Sequence, residues 1–188
     1  MGHLTEHDRM LITVLREAGV LAEVAGRNLD LKDGVIMIPC ADGDQMCDLF
    51  EFKTSLFQEQ QFHPRIHTLA LNGGALLIPA NSPVQREGNE DTVILQHLRD
   101  GQALKGINLV VLYAHAPCGA AGIAKLNSKQ VIELLIAAKT RVKEEIPGLK
   151  VACFCHVDWG EGRKRTYFVS RDKWSEWVVK NKEFSQVA

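Results

Sequence analysis

Cys40, His115 and Cys118 are the residues of this chain best suited to chemistry, and each lies just past an apolar run. Gly34-Val35-Ile36-Met37-Ile38-Pro39 leads into Cys40-Ala41-Asp42-Gly43-Asp44. Ile107-Asn108-Leu109-Val110-Val111-Leu112-Tyr113-Ala114 leads into His115-Ala116-Pro117-Cys118-Gly119. Both runs read as short buried strands. In an open α/β sheet, residues just beyond the carboxyl ends of such strands surround one crevice. Two thiolates and an imidazole meeting there form a soft-to-borderline donor set that suits zinc. Three protein ligands leave a fourth position for water or for a carboxylate, and Asp42 is the carboxylate at hand.

Each of these residues also has a plainer use. A lone cysteine after a strand is commonly a small buried hydrophobe. The joint pattern with His115 is what favours a metal. Asp42 and Asp44 both suit a helix cap or a turn. Cys153, Cys155 and His156 form a second cluster on a predicted strand, where alternation sends the two cysteines to one face and the histidine to the other. Three such groups do not converge on one ion, so packing is the better reading there. Cys47 reads as structural.

Apolar periodicity outlines the elements that must hold the two turns. From Thr5 to Ala25, Leu11, Ile12, Val14, Leu15, Ala18, Leu21 and Val24 form a helical stripe interrupted by Gly19, with Thr5 as its amino-terminal cap. Val35 to Ile38 is the first strand, and Met46 to Phe62 reads as a helix. Leu69 to Ile78 reads as a glycine turn feeding a second strand, followed by a polar loop from Pro79 to Asn89. A helix over Asp91 to Leu104 precedes the central strand, Leu109 to Tyr113. Ser128 caps a helix over Lys129 to Glu145, which Pro147-Gly148 ends. Val151 to Val157 pairs with Arg165 to Val169 across Gly160-Glu161-Gly162, and a last helix over Asp172 to Asn181 carries Trp174 and Trp177 as a packing stripe. The pattern predicts an α/β fold with a mostly parallel central sheet, helices on both faces and an antiparallel edge hairpin near the carboxyl terminus. Residues 1–188 read as a single zinc-binding domain, with 1–30 as an amino-terminal helical arm.

Size and charge narrow the class. A chain of 188 residues is long enough for one well-buried domain and short for two. A net charge of -1 gives no reason to expect nucleic acid or an anionic membrane as partner. Met1 to Arg9 is polar, with no basic stretch followed by an apolar one, and predicts no signal peptide. No apolar run approaches the length of a membrane span. Five cysteines, an odd number, read as reduced thiols or metal ligands in a cytoplasmic protein rather than as a disulfide framework.

In order and in context, the two turns resemble those of the β-class carbonic anhydrases. That family carries Cys-x-Asp-x-Arg after its first sheet strand and His-x-x-Cys after a later one. Cys40 and Asp42 match the first motif, and His115 and Cys118 match the second. Leu71 to Leu76, with Gly73 and Gly74, resembles the glycine-containing segment between the motifs, and Gly119 continues the second. The resemblance spans roughly Gly34 to Val169, although the two turns are its specific part. It implies reversible hydration of carbon dioxide to bicarbonate, with zinc lowering the pKa of its bound water. Cys40, His115 and Cys118 would hold the metal, and Gly73, Gly74 and Gly119 would let backbone approach a small substrate. His63 and His67 are candidates for proton relay. The family also implies a homodimer or a higher homo-oligomer.

The departure is Asp44, which stands where the family has an arginine that draws the aspartate off the metal. A carboxylate there removes a cationic partner from Asp42 and adds repulsion, favouring either protonation of Asp42 or its binding as a fourth zinc ligand. The catalytic turn therefore holds Asp42 and Asp44 together. The closed alternative is a site of two cysteines, one histidine and one aspartate, with a structural or regulatory role. Arg65, in Phe62-His63-Pro64-Arg65, is the candidate to supply the missing guanidinium from another segment.

Overall fold

The computed structural model describes residues 3–86 and 88–181. In chain order its elements are α1 (Glu6–Glu17), β1 (Leu21–Ala22), β2 (Val35–Ile38), α2 (Gly43–Glu59), β3 (Ile66–Thr68) and α3 (Glu90–Lys105). There follow β4 (Leu109–Ala116), α4 (Gly119–Ile123), α5 (Ser128–Glu145), β5 (Lys150–Asp158), β6 (Lys164–Val169) and α6 (Arg171–Lys180). The strands form one sheet in the order β1-β6-β5-β4-β2-β3. β3, β2, β4 and β5 are parallel, and β6 and β1 each join antiparallel. The fold is α/β, with a mostly parallel sheet and the expected antiparallel hairpin beside β5.

Continuous apolar runs form β2 and β4 because both faces of the sheet are covered. Ile36, Ile38, Val110, Leu112 and Ala114 pack on one side with α1, α3, α5 and α6. Val35, Met37, Val111 and Tyr113 pack on the other against Leu49, Leu56 and Phe57 of α2. Trp174 and Trp177 are buried and stacked, 5.5 Å between ring centroids, in the first of these layers. No helix among the described residues is long and apolar enough to cross a membrane.

Three segments differ from the periodicity reading. The stripe from Thr5 to Ala25 is not one helix: α1 ends at Glu17, and Gly19 at φ +72° turns the chain so that Leu21 and Ala22 pair with Val169 and Phe168. The apolar run Ala75 to Ile78 is not a strand either. Gly74–Leu77 is a 3₁₀ turn, and the strand lies upstream at Ile66–Thr68. Burial explains the misreading, since a fully buried turn is as uniformly apolar as a buried strand. The cap of α5 is Asn127, one residue before Ser128, in a reciprocal capping box with Gln130.

The inner face of α2 carries Lys53, which is 0% exposed and has no hydrogen-bond partner. Its ammonium position lies 4.6 Å from the Phe154 ring centroid, 5.7 Å from that of Tyr113 and 5.9 Å from that of Phe52. Ring contacts favour the charged form by about 2 kcal/mol when dry. Desolvating an ammonium costs several kcal/mol, so burial wins. The amine is pushed down to about 7 from its ordinary 10.5. Between those values the unfolded chain binds a proton that the folded chain does not, so stability rises with pH across that window. Lys53→Met keeps the stem and removes the amine. Its advantage over the parent in thermal melts is expected to be largest below about pH 7 and to shrink toward about pH 10. A difference independent of pH would show that Lys53 is not the group responsible.

Candidate metal centre

Parallel pairing brings the two turns together. Ile38 at the end of β2 sits level with Leu112, so Cys40, two residues on, reaches the level of the last turn of β4. β4 continues through His115 and Ala116, and Cys118 follows as the residue capping α4. The Cys40 Sγ, one His115 ring nitrogen and the Cys118 Sγ all lie within 4.8 Å of one another. The three residues are 8%, 4% and 8% exposed.

The donor set fits a metal ion. Both ring nitrogens of His115 are buried and lack a hydrogen-bond partner, which leaves one of them free to bind an ion. The Cys40 thiol is pushed up to about 12 by its hydrogen bond to Cys118 and by burial. Cys118 is drawn down to about 7 by accepting that bond, against the opposing effect of burial, and with help from the Ala121 and Ala120 amides. A cation placed between the sulfurs would favour the thiolate form of both.

Gly73 and Gly74 support Cys40 through the backbone. The Gly73 N–H donates to Cys40 Sγ at 3.2 Å. Gly74, at φ +52°, is pressed so close that a Cβ would stand 2.5 Å from both the Cys40 nitrogen and the Pro39 carbonyl carbon. Gly74→Ala is therefore expected to cost about 2–3 kcal/mol, as overpacking does, and to displace Cys40. Urea unfolding with a lower midpoint and unchanged slope, together with reduced metal uptake, would be the signature. An unaltered midpoint would mean that the turn relaxes freely.

Asp42 lies at the rim of the cluster. It caps α2, with Oδ1 accepting the Asp44 N–H at 3.0 Å, while Oδ2 stands 3.8 Å from His115 Nε2. Asp44 contributes through its backbone, and its side chain is exposed. Gly119, with His115, Cys118, Leu126 and Val131, lines a cavity of about 230 Å³ on the α4–α5 side.

Arg65 is not at the centre. The Val35 N–H donates to the Arg65 carbonyl, which puts this residue at the amino ends of the strands, and its guanidinium donates to the Asp33 and Lys105 carbonyls at 3.0 and 2.7 Å. Cys40 lies at the carboxyl ends, so Arg65 cannot hold Asp42. His67 pairs with Ile36 and His63 is exposed, both on the way to that same amino end. Cys47 is exposed on α2 rather than built into the core, whereas Cys153 and Cys155 are fully packed.

Near the centre, Asp48 and Lys164 escape sequence reasoning, and His156 is read there only as packing. His156 is the cross-strand partner of His115, with Nδ1 2.8 Å from Thr166 Oγ1 and a pKa pushed down to about 4 by burial. Asp48 Oδ2 lies 3.9 Å from His156 Nε2 and accepts from Lys164 Nζ at 2.7 Å. Alternation along β5 was enough to turn His156 away from the cysteines. Nothing local announces that Lys164 meets α2.

No family model matches the chain, and no curated protein matches it. Among solved structures, it is similar to β-carbonic anhydrase isoform I of the protozoan Trichomonas vaginalis, at 10% identity and a TM-score of 0.46, over 88% of this chain and 99% of that one. It is also similar to a carbonic anhydrase of Streptococcus mutans, at 12% identity and 0.44, over 89% and 99%. A β-carbonic anhydrase of the filamentous fungus Aspergillus fumigatus matches at 10% identity and 0.42, over 80% and 99%.

Proposed function

We propose that this chain is a zinc-dependent enzyme of carbonic anhydrase type, catalysing the reversible hydration of carbon dioxide to bicarbonate. The observation that carries the reading is the convergence of Cys40, His115 and Cys118, from two separate strand ends, within 4.8 Å of one another. Their order and flanking residues follow the two-turn pattern that the chain shares with the β class. Zinc, when bound, is a Lewis acid that makes water acidic enough to be a nucleophile near neutral pH.

The chain's own residues divide the remaining work. Two sulfurs and an imidazole would hold the ion, and the Gly73 amide would steady the negative charge on a ligating Cys40. The cavity beside Gly119 and Leu126 suits a small apolar molecule such as carbon dioxide. Asp42 Oδ2 stands 3.8 Å from His115 Nε2 and would accept the proton that water gives up in becoming the hydroxide that adds to carbon dioxide. In the cytoplasm the thiols stay reduced, and the same reading carries a homo-oligomer, which sedimentation would test.

A second reading has an observation of its own. The amide that holds Asp42 Oδ1 leaves Oδ2 facing His115, with Arg65 far away, so the carboxylate is free to close the site as a fourth ligand. A centre closed in this way, by two cysteines, one histidine and one aspartate, would be structural or regulatory. Stopped-flow carbon dioxide hydration with zinc-loaded protein across pH separates the two. Zinc-dependent turnover supports the enzyme, and full zinc occupancy without turnover at any pH supports the closed site.

A further inference from the structure

We propose that Lys164 is the positioning residue that aims the Asp42 carboxylate at the metal centre. The proposal rests on the reading of Asp42 as a metal-facing group. The Asp44 N–H holds Asp42 Oδ1 at 3.0 Å, and the Asp44 carbonyl is itself held by Lys164 Nζ at 2.7 Å. The same ammonium donates to Asp48 Oδ2 at 2.7 Å, one helical turn further along α2. Lys164 is thus joined to both ends of the first turn of the helix that Asp42 caps.

The anchor on the other side is firm. Lys164 opens β6, where it pairs with Asp158 at the end of β5, two positions from the pairing of His156 with Thr166. The ammonium therefore ties α2 to the strand neighbouring β5, whose His156 pairs with His115. Helix first turns have unsatisfied amides and shift easily unless something outside the helix holds them. Here a shift would rotate the Asp42 carboxylate about its capping bond and move Oδ2 relative to His115 Nε2, now 3.8 Å away. Lys164 also sets a positive charge among Asp44, Asp48 and Asp158, which all act on it electrostatically. Ion pairs of this exposure contribute little to global stability, so orientation is the effect to look for.

Cobalt(II) in place of zinc reports the ligand field, and zinc competition reports affinity. Three variants are compared with the parent: Asp42→Asn, Lys164→Met and Lys164→Arg. Asp42→Asn is expected to change the visible cobalt bands. Lys164→Met is expected to move them in the same direction and to weaken zinc by about tenfold, as loss of outer-shell support does. Lys164→Arg restores the cation and is expected to keep both near the parent values. If Asp42→Asn changes the bands while Lys164→Met leaves bands and affinity untouched, Lys164 is a surface pair and the proposal falls alone. If Asp42→Asn changes nothing, Asp42 is not at the metal, and the reading beneath falls with it. Should Lys164→Met fail to fold, Asp48→Asn removes the other anchor of the same ammonium and carries the identical comparison.

Discussion

Replacing Cys118 by serine is expected to take the zinc content of the purified protein from about one ion per chain to a small residue. Cys118 is the more acidic of the two sulfurs, drawn down to about 7, and so supplies a thiolate readily near neutral pH. A serine hydroxyl neither ionises nor binds zinc comparably. Loss of a direct ligand should weaken zinc by more than the roughly 10–100-fold typical of losing an outer-shell partner. The fold should survive, because Cys118 occupies the capping position of α4, where serine is among the best residues. Metal analysis after dialysis, with circular dichroism as the control on folding, tests this. Full zinc retention in a folded Cys118→Ser protein would remove this residue from the ligand set and the metal centre with it.

The second large effect concerns the two aspartates. In the unmodified protein, carbon dioxide hydration is expected to be slow near neutral pH and to rise with pH, as hydroxide outcompetes the Asp42 carboxylate for the open position. Asp44→Arg should raise the neutral-pH rate by about tenfold or more. A guanidinium two residues on can pair bidentately with Asp42, and about 1.4 kcal/mol of such pairing suffices for that factor. The same substitution puts a cation in the first turn of α2, where the helix dipole disfavours it by about 0.3–1 kcal/mol. A slightly lower melting temperature should therefore accompany the gain. Brisk neutral-pH turnover in the unmodified protein would show that Asp42 is already held off the metal. A folded, zinc-loaded and inactive Asp44→Arg protein would favour the structural or regulatory reading.

The convergence of Cys40, His115 and Cys118 is legible in the sequence because all three sit where strands end. Val35–Ile38 and Leu109–Ala116 are apolar without alternation, the pattern of strands covered on both faces, and that placed Cys40 and His115 at the same edge. The glycines beside Cys40 were visible as a backbone requirement, yet the 3₁₀ turn they launch was hidden, since Ala75 to Ile78 are as buried as any strand. Arg65 has no place that sequence alone can give it, because a residue before a strand and one after it look alike until the register with Val35 is known. Lys164 was invisible for a related reason. Its partners, Asp44 and Asp48, are separated from it by more than a hundred residues and are joined to it only by tertiary packing.

The short strand Leu21–Ala22 has a consequence for how the molecule meets its surroundings. It covers only the end of β6, at Val169 and Phe168, and the part of β6 outside that pairing carries Lys164 and Arg165. At the opposite border β3 offers three residues and then leaves the ladder. Borders that are brief or charged give an incoming chain little unpaired backbone to copy, which is how soluble sheets resist growing into aggregates. Copies of this chain that associate are therefore expected to meet through side chains on helices and loops, with each sheet ending where its own molecule does.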